Sequence, residues 1–184
     1  MQRPGTWTLA LLSVSALGLA GCASSSSTPT TTAPAATATT ATTAASGPIA
    51  TIPTADLSPA GTAGTAPTIT VPTGAPPTQL ESSDLIVGTG PKAKAGDTVT
   101  VQYVLATYSS GKEIQSSWGQ APFSFPLGEG HVIPGWDKGV VGMQVGGRRE
   151  LIIPPSLGYG DQSPGAGIAA NDTLVFIVDM VKIN

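Results

Sequence analysis

Hydrophobic and polar positions divide the chain into three stretches of different grain. Trp7 to Ala20 is an apolar run of about 14 residues, short of the roughly 20 that a membrane-spanning helix needs but the length of a signal-peptide core. From Ala23 to about Thr78, Ile, Val and Leu are scattered among Ala, Ser, Thr, Pro and Gly without a period. No continuous face is available to bury, and this stretch is predicted to be a disordered tether. Beyond Leu80 the pattern changes to short apolar runs punctuated by Gly and Pro. Thr98 to Leu105 alternates, with Val99, Val101, Tyr103 and Leu105 on one face and Thr98, Thr100 and Gln102 on the other, which predicts a half-buried strand with Tyr103 pointing inward. Ser109-Ser110-Gly111 supplies a turn before a second strand, Lys112 to Ser117. Phe123, Phe125 and Leu127 alternate again until Gly128-Glu129-Gly130. Pro134 opens the one predicted helix, where Trp136, Val140 and Met143 share a face. Gly146-Gly147 turns the chain into Arg148 to Ile153, and Thr173 to Ile183 is apolar on both faces, as a central strand is. The expected fold is α+β, a mainly antiparallel sheet folded against one short helix.

Composition sharpens these boundaries. Apart from Arg3 and Asp56 every charged residue, and apart from Trp7 every aromatic one, lies beyond Leu80. The expected organisation is therefore a leader over 1–21, a tether over 22–80 and one domain over 81–184. A net charge of -3, with no basic stretch to offset it, argues against nucleic acid as a partner. One Cys excludes an intramolecular disulfide, and with only one His a zinc site lacks ligands, so no metal is expected. His131 sits in a loop after Gly-Glu-Gly, and no G-x-S-x-G element accompanies it. Gly165 to Ala170 mimics a dinucleotide fingerprint, but Pro164 precedes it and a strand follows, where a phosphate site needs a strand before and a helix after. The acidic residues are spaced neither as a calcium loop nor as an acid/base pair. What remains is an apolar site that needs no cofactor.

Leu19-Ala20-Gly21-Cys22 places small residues before the only Cys, which resembles the lipobox of bacterial lipoproteins. That likeness implies acylation at Cys22, cleavage before it, and a domain exported and lipid-anchored to the cell membrane on its extracytoplasmic side. An ordinary secretory signal with an incidental Cys is the alternative. The Ser/Thr/Pro-rich tether suits O-glycosylation and equally a plain spacer.

Val99-Thr-Val-Gln-Tyr103, Gly111 to Ser117, Pro122-Phe-Ser-Phe-Pro-Leu-Gly128, Val132-Ile-Pro-Gly-Trp136, Gly158-Tyr-Gly160 and Thr173-Leu-Val-Phe176 follow one another over residues 84–184. In this order and spacing they resemble the FKBP-type peptidyl-prolyl cis-trans isomerases. The resemblance implies a twisted antiparallel sheet of about five strands wrapped around a short helix. It also implies a proline pocket floored by the Trp136 indole, with Tyr103, Phe123, Val132, Ile133, Tyr159 and Phe176 as its catalytic surroundings and Ile114, Gln115 and Ile168 contacting substrate. The family's pattern assigns the Ile133 N–H and the Tyr159 hydroxyl to the ligand's carbonyls. Phe125, outside that set, is assigned to the core.

Such a pocket needs no acid, base or nucleophile, because rotation about X-Pro breaks no bond and its barrier of about 20 kcal/mol is lost amide resonance. This chain departs from the family at Ile114 and Gln115, where an aromatic residue and Asp are usual, and at Pro164 and Gly167 beyond Tyr159. Weakened rather than absent catalysis is expected, with altered substrate and macrolide preference. The expected partners are proline-containing polypeptides, with macrolides as possible ligands and the membrane reached through the lipid. A small acidic domain with no spare apolar stripe is expected to be a monomer. A binding module with negligible turnover and an interaction scaffold on a surface lipoprotein are the alternatives.

Overall fold

In the computed structural model, which describes residues 49–184, the alternating segments become strands of one antiparallel sheet. They are β1 Glu81–Ile86, β2 Thr98–Thr107, β3 Lys112–Ser116, β4 Phe123–Pro126, β5 Arg148–Ile153 and β6 Leu174–Ile183. The sheet order is β1-β5-β6-β2-β3, and β4 pairs with the first half of β2 on the edge that β3 uses further along. Five strands fall where the hydrophobic pattern placed them. The sixth, β1, was not expected, because Glu81-Ser-Ser-Asp shows no apolar alternation and is held by pairing with β5.

β6 lies between β5 and β2, and its seven residues from Leu174 to Met180 are all buried. Its inner face, Leu174, Phe176, Val178 and Met180, joins Val99, Val101, Leu105, Leu151 and Ile153 in the main core. Helix α1, Pro134–Gly139, crosses this face. Pro134 occupies its first turn, where the missing N–H costs nothing. Gly135 and Gly139 face β5. A Cβ on Gly135 would stand 2.4 Å from Ile153, and one on Gly139 would stand 2.7 Å from Leu151. Absence of side chains at these two positions lets the helix lie directly on the sheet, which seats Trp136 at the centre of the core. The helix ends before Met143, which reaches the core from the following turn rather than from the helical face the sequence pattern assigned to it.

The outer face is also covered. Residues 49–80 were expected to continue a disordered tether, and the structure corrects this: they form a strap across the sheet. Ala50 bridges Glu81 in parallel, a 3-10 turn follows at Thr54–Asp56, and Ile52 packs on Ile152 and Val175. Leu57, Ile69, Val71 and Tyr108 pack around that cluster. Beneath the strap, Arg148, Glu150 and Asp179 are buried. Arg148 grips the Asp179 carboxylate through Nε at 2.6 Å and Nη2 at 2.8 Å, and donates from Nη1 to the Ala60 carbonyl at 2.8 Å and from Nη2 to the Thr65 carbonyl at 2.6 Å. Glu150 accepts from both the backbone N–H and the hydroxyl of Ser58, each at 2.8 Å. The strap's irregular backbone thus finds partners in strand side chains, satisfying polar groups that would otherwise be costly to bury. The leader over 1–21, the lipidation position Cys22 and the tether as far as residue 48 lie outside the described residues.

Candidate functional site

Each wall of the candidate site comes from a different element. Strand alternation puts Tyr103 and Leu105 of β2 on the inner face, and direct pairing across the sheet sets Gln115, Leu105 and Phe176 in one row. β4 contributes Phe123, opposite Val101. Val132 and Ile133 precede α1, and Tyr159 follows the 3-10 turn Pro155–Leu157. Trp136 lies at the bottom, 4% exposed, with the Tyr103 and Phe176 rings standing nearly perpendicular to it at centroid distances of 5.4 and 5.2 Å. Phe123 also stands edge-on to Trp136, at 6.1 Å. These edge-to-face contacts direct the positive ring edges toward electron-rich faces and hold the aromatic groups apart as a floor and walls. They enclose an open hollow of about 480 Å³, within the range of small-molecule sites.

Tyr103, Gln115, Phe123, Val132, Ile133, Trp136, Tyr159 and Phe176 all line this hollow. Ile114 and Ile168 do not. Ile168 is buried in the main core, while half-buried Ile114 packs against that core. Phe125 is core, as expected, and stacks on Phe123 at 5.4 Å. The structure adds Leu105, Gly130 and His131 to the lining. Leu105 reads as an ordinary core position along β2, and only its pairing with Gln115 and Phe176 reveals that it reaches the wall. His131 is exposed at the rim, where its Nε2 stands 3.9 Å from the Glu129 carboxylate.

The loop before α1 is fastened by the helix itself. Asp137 accepts hydrogen bonds from the Gly128 and Gly130 N–H groups, both at 2.8 Å. Gly128 and Gly130 have φ of +81° and +74°, a region that L-residues enter only at a cost. This arrangement presents Val132 and Ile133 to the hollow. Burial first, and the neighbouring Tyr159 second, raise the Tyr103 hydroxyl above the ordinary phenol value, so it stays neutral at neutral pH. The Trp136 Nε1 is buried without a hydrogen-bond partner among the described residues. No group of three or more His, Cys, Asp or Glu side chains there is arranged to hold a metal ion. The lining is therefore mainly aromatic and aliphatic, with Gln115, His131 and the two tyrosines as its polar members.

The FKBP-type peptidyl-prolyl cis-trans isomerase family model matches residues 90–181. The chain belongs to this family. An FK506-binding protein of Streptomyces anulatus is 50% identical over 117 residues, covering 62% of this chain and 94% of its own. The solved structure of AtFKBP13 is 34% identical with a TM-score of 0.52, covering 59% of this chain and 96% of that one. FkpA from Escherichia coli is 38% identical with a TM-score of 0.52, covering 58% of this chain and 49% of that one. The FKBP-type fold thus accounts for the sheet and α1.

Proposed function

We propose that the hollow over Trp136 binds an X-Pro segment with the pyrrolidine ring on the indole and accelerates rotation by environment alone. The supporting observation is the aromatic enclosure itself, with three rings standing edge-on to a buried fourth. A planar imide carries a large dipole that water solvates well, whereas the twisted imide is less polar. Transfer into an apolar hollow therefore raises the ground state more than the transition state. An acceleration on the order of 10⁴ asks for roughly 5.5 kcal/mol of such difference. The Ile133 N–H and the Tyr159 hydroxyl are assigned to the carbonyls flanking the proline. Gln115 holds no charge that would polarise the rim, consistent with weaker catalysis than an acidic residue would support.

The same reading places the protein outside the cytoplasm, acylated at Cys22, with the domain acting as a monomer on proline-containing polypeptides and accepting macrolides in the same hollow. The decisive experiment is cis-trans exchange of an X-Pro peptide followed with wild type, Trp136→Leu, and wild type plus rapamycin. Turnover that rapamycin blocks and Trp136→Leu lowers by about tenfold, equivalent to 1.36 kcal/mol of transition-state stabilisation, supports the reading. Equal turnover in a folded Trp136→Leu variant overturns it. Retention of Cys22→Ser in the membrane fraction after export would overturn the lipid anchor.

A further inference from the structure

Helix α1 is held at its far end by a side chain that does not line the hollow. The inner face of β5 presents Arg149, Leu151 and Ile153 in succession, and Leu151 and Ile153 lie against Gly139 and Gly135. Arg149, two residues before Leu151, reaches the end of the helix. Its Nη1 donates to the Gly139 carbonyl at 2.8 Å and to the Val141 carbonyl at 3.1 Å, groups of the kind that a helix terminus leaves without an internal partner. Across the ladder between β1 and β5, Arg149 stands directly opposite Asp84. The Asp84 carboxylate accepts from Nε at 2.6 Å and from Nη2 at 3.1 Å. This fork fixes the plane of the guanidinium, and the Arg149 side chain is only 13% exposed. The ladder shifts register between Asp84 and Ile86, so the pair occupies the last regular rung before the irregularity.

We infer that Arg149, oriented by Asp84, is a positioning residue for the isomerase hollow and sets where Trp136 stands on the sheet. Contact between α1 and β5 runs through two glycines, and a helix surface without side chains offers no ridges to lock into grooves. Apolar contact holds the helix down but is non-directional, so sliding along the sheet and rotation about the helix axis are poorly opposed. Hydrogen bonds from one guanidinium to the Gly139 and Val141 carbonyls supply the missing direction. Gly139 lies within one turn of Trp136, and the Val140 N–H donates to the Trp136 carbonyl at 3.0 Å. A shift at this end therefore moves the floor. The loop before α1 is tied separately, by Asp137 to Gly128 and Gly130. Trp136 sits between these two ties, and one of them is anchored in β1, a strand that contributes nothing to the lining. Misplacing a group that sets reacting geometry by about 1 Å can cost about 100-fold in rate.

The inference rests on the isomerase reading, and the test separates them. Exchange of an X-Pro peptide is measured on the full chain for wild type, Arg149→Leu, Arg149→Lys and Asp84→Asn, with rates taken per folded molecule well below each denaturation midpoint. Ser58→Ala, on the outer face, is the control for lost stability alone. Arg149→Leu is expected to lower kcat about fivefold and to move KM by less than about twofold, because the walls still hold the peptide while the displaced floor no longer fits the twisted bond. Asp84→Asn keeps the shape and loses the charge that fixes the fork, and is expected to lower kcat about twofold. Arg149→Lys keeps a charge that cannot fork and is expected to fall between wild type and Arg149→Leu. Ser58→Ala is expected to retain the wild-type kcat. An unchanged kcat in folded Arg149→Leu and Asp84→Asn, or a loss that Ser58→Ala shows equally, overturns the positioning role and leaves the isomerase reading standing. Should Arg149→Leu not fold, Asp84→Asn decides alone. No turnover by wild type overturns both.

Discussion

On the inner face of the sheet, Tyr103, Leu105 and Phe176 stand around Trp136 and leave a hollow. On the outer face, Arg148, Glu150 and Asp179 are closed over by the strap. The same strands serve both: Leu151 and Ile153 of β5 carry the helix, while Arg148 and Glu150, one residue out of phase, hold residues 58–65. An apolar face can remain incompletely filled and wait for a ligand. A buried charge cannot wait, because an unpaired ion in the interior is far costlier than an empty apolar space. The comparison teaches that this domain separates function from anchorage by sheet face, and substitutions on the two faces should have opposite signatures.

The largest expected effect is on the outer face. Arg148→Ala strands Asp179 and frees the carbonyls of Ala60 and Thr65. It should cost about 3–5 kcal/mol of stability in urea denaturation, with turnover per folded molecule unchanged. A loss of turnover at full folding would break the separation of faces. Ser58→Ala removes the hydroxyl that donates to Glu150 while keeping the backbone N–H bond, and should cost about 1–3 kcal/mol in the same measurement.

Phe123→Ala tests the inner face. This ring is 42% exposed yet lines the hollow, so kcat/KM should fall about tenfold, or 1.36 kcal/mol, while the denaturation midpoint moves little. A large stability loss without a catalytic one would reassign Phe123 to the core beside Phe125. Asp137→Ala releases the Gly128 and Gly130 N–H groups. It should raise KM several-fold more than it lowers kcat, because it loosens the loop that presents Ile133 rather than the floor.

The smallest expected effect is a pH slope on the outer face. Burial raises the Glu150 carboxyl above its ordinary 4.5 despite the two Ser58 hydrogen bonds that lower it, and burial followed by Asp56 raises Glu81. The folded protein therefore binds more protons than the unfolded chain in the window above 4.5, and stability should fall as pH rises through it. Denaturation midpoints measured across that window should decline, and Glu150→Gln should flatten the decline. A slope of the opposite sign would mean that the Ser58 hydrogen bonds outweigh burial.

Much of the inner face was legible because its logic is local. Alternation over Val99 to Leu105 sets Tyr103 inward whatever the rest of the chain does, and Pro134 marks the helix start, while Trp136 as the floor followed from the family likeness. Leu105 escaped because a wall residue and a core residue look alike until the strands on either side are paired. Ile114 and Ile168 were assigned by likeness alone, and packing took both toward the core.

The sequence by itself determined the sheet's inner pattern and the position of the helix, since period-two alternation and glycine-proline punctuation act over a few residues, while the ring set of the hollow came from likeness to the FKBP-type isomerases. Only the tertiary structure decided the fate of residues 49–80. Their scattered apolar residues form no face alone, and their partners lie far along the chain. Ser58 meets Glu150 across 92 positions, and Ala60 and Thr65 meet Arg148 across 88 and 83. Order there comes from buried charges on a strand that must be satisfied, a demand that appears only once the sheet has formed.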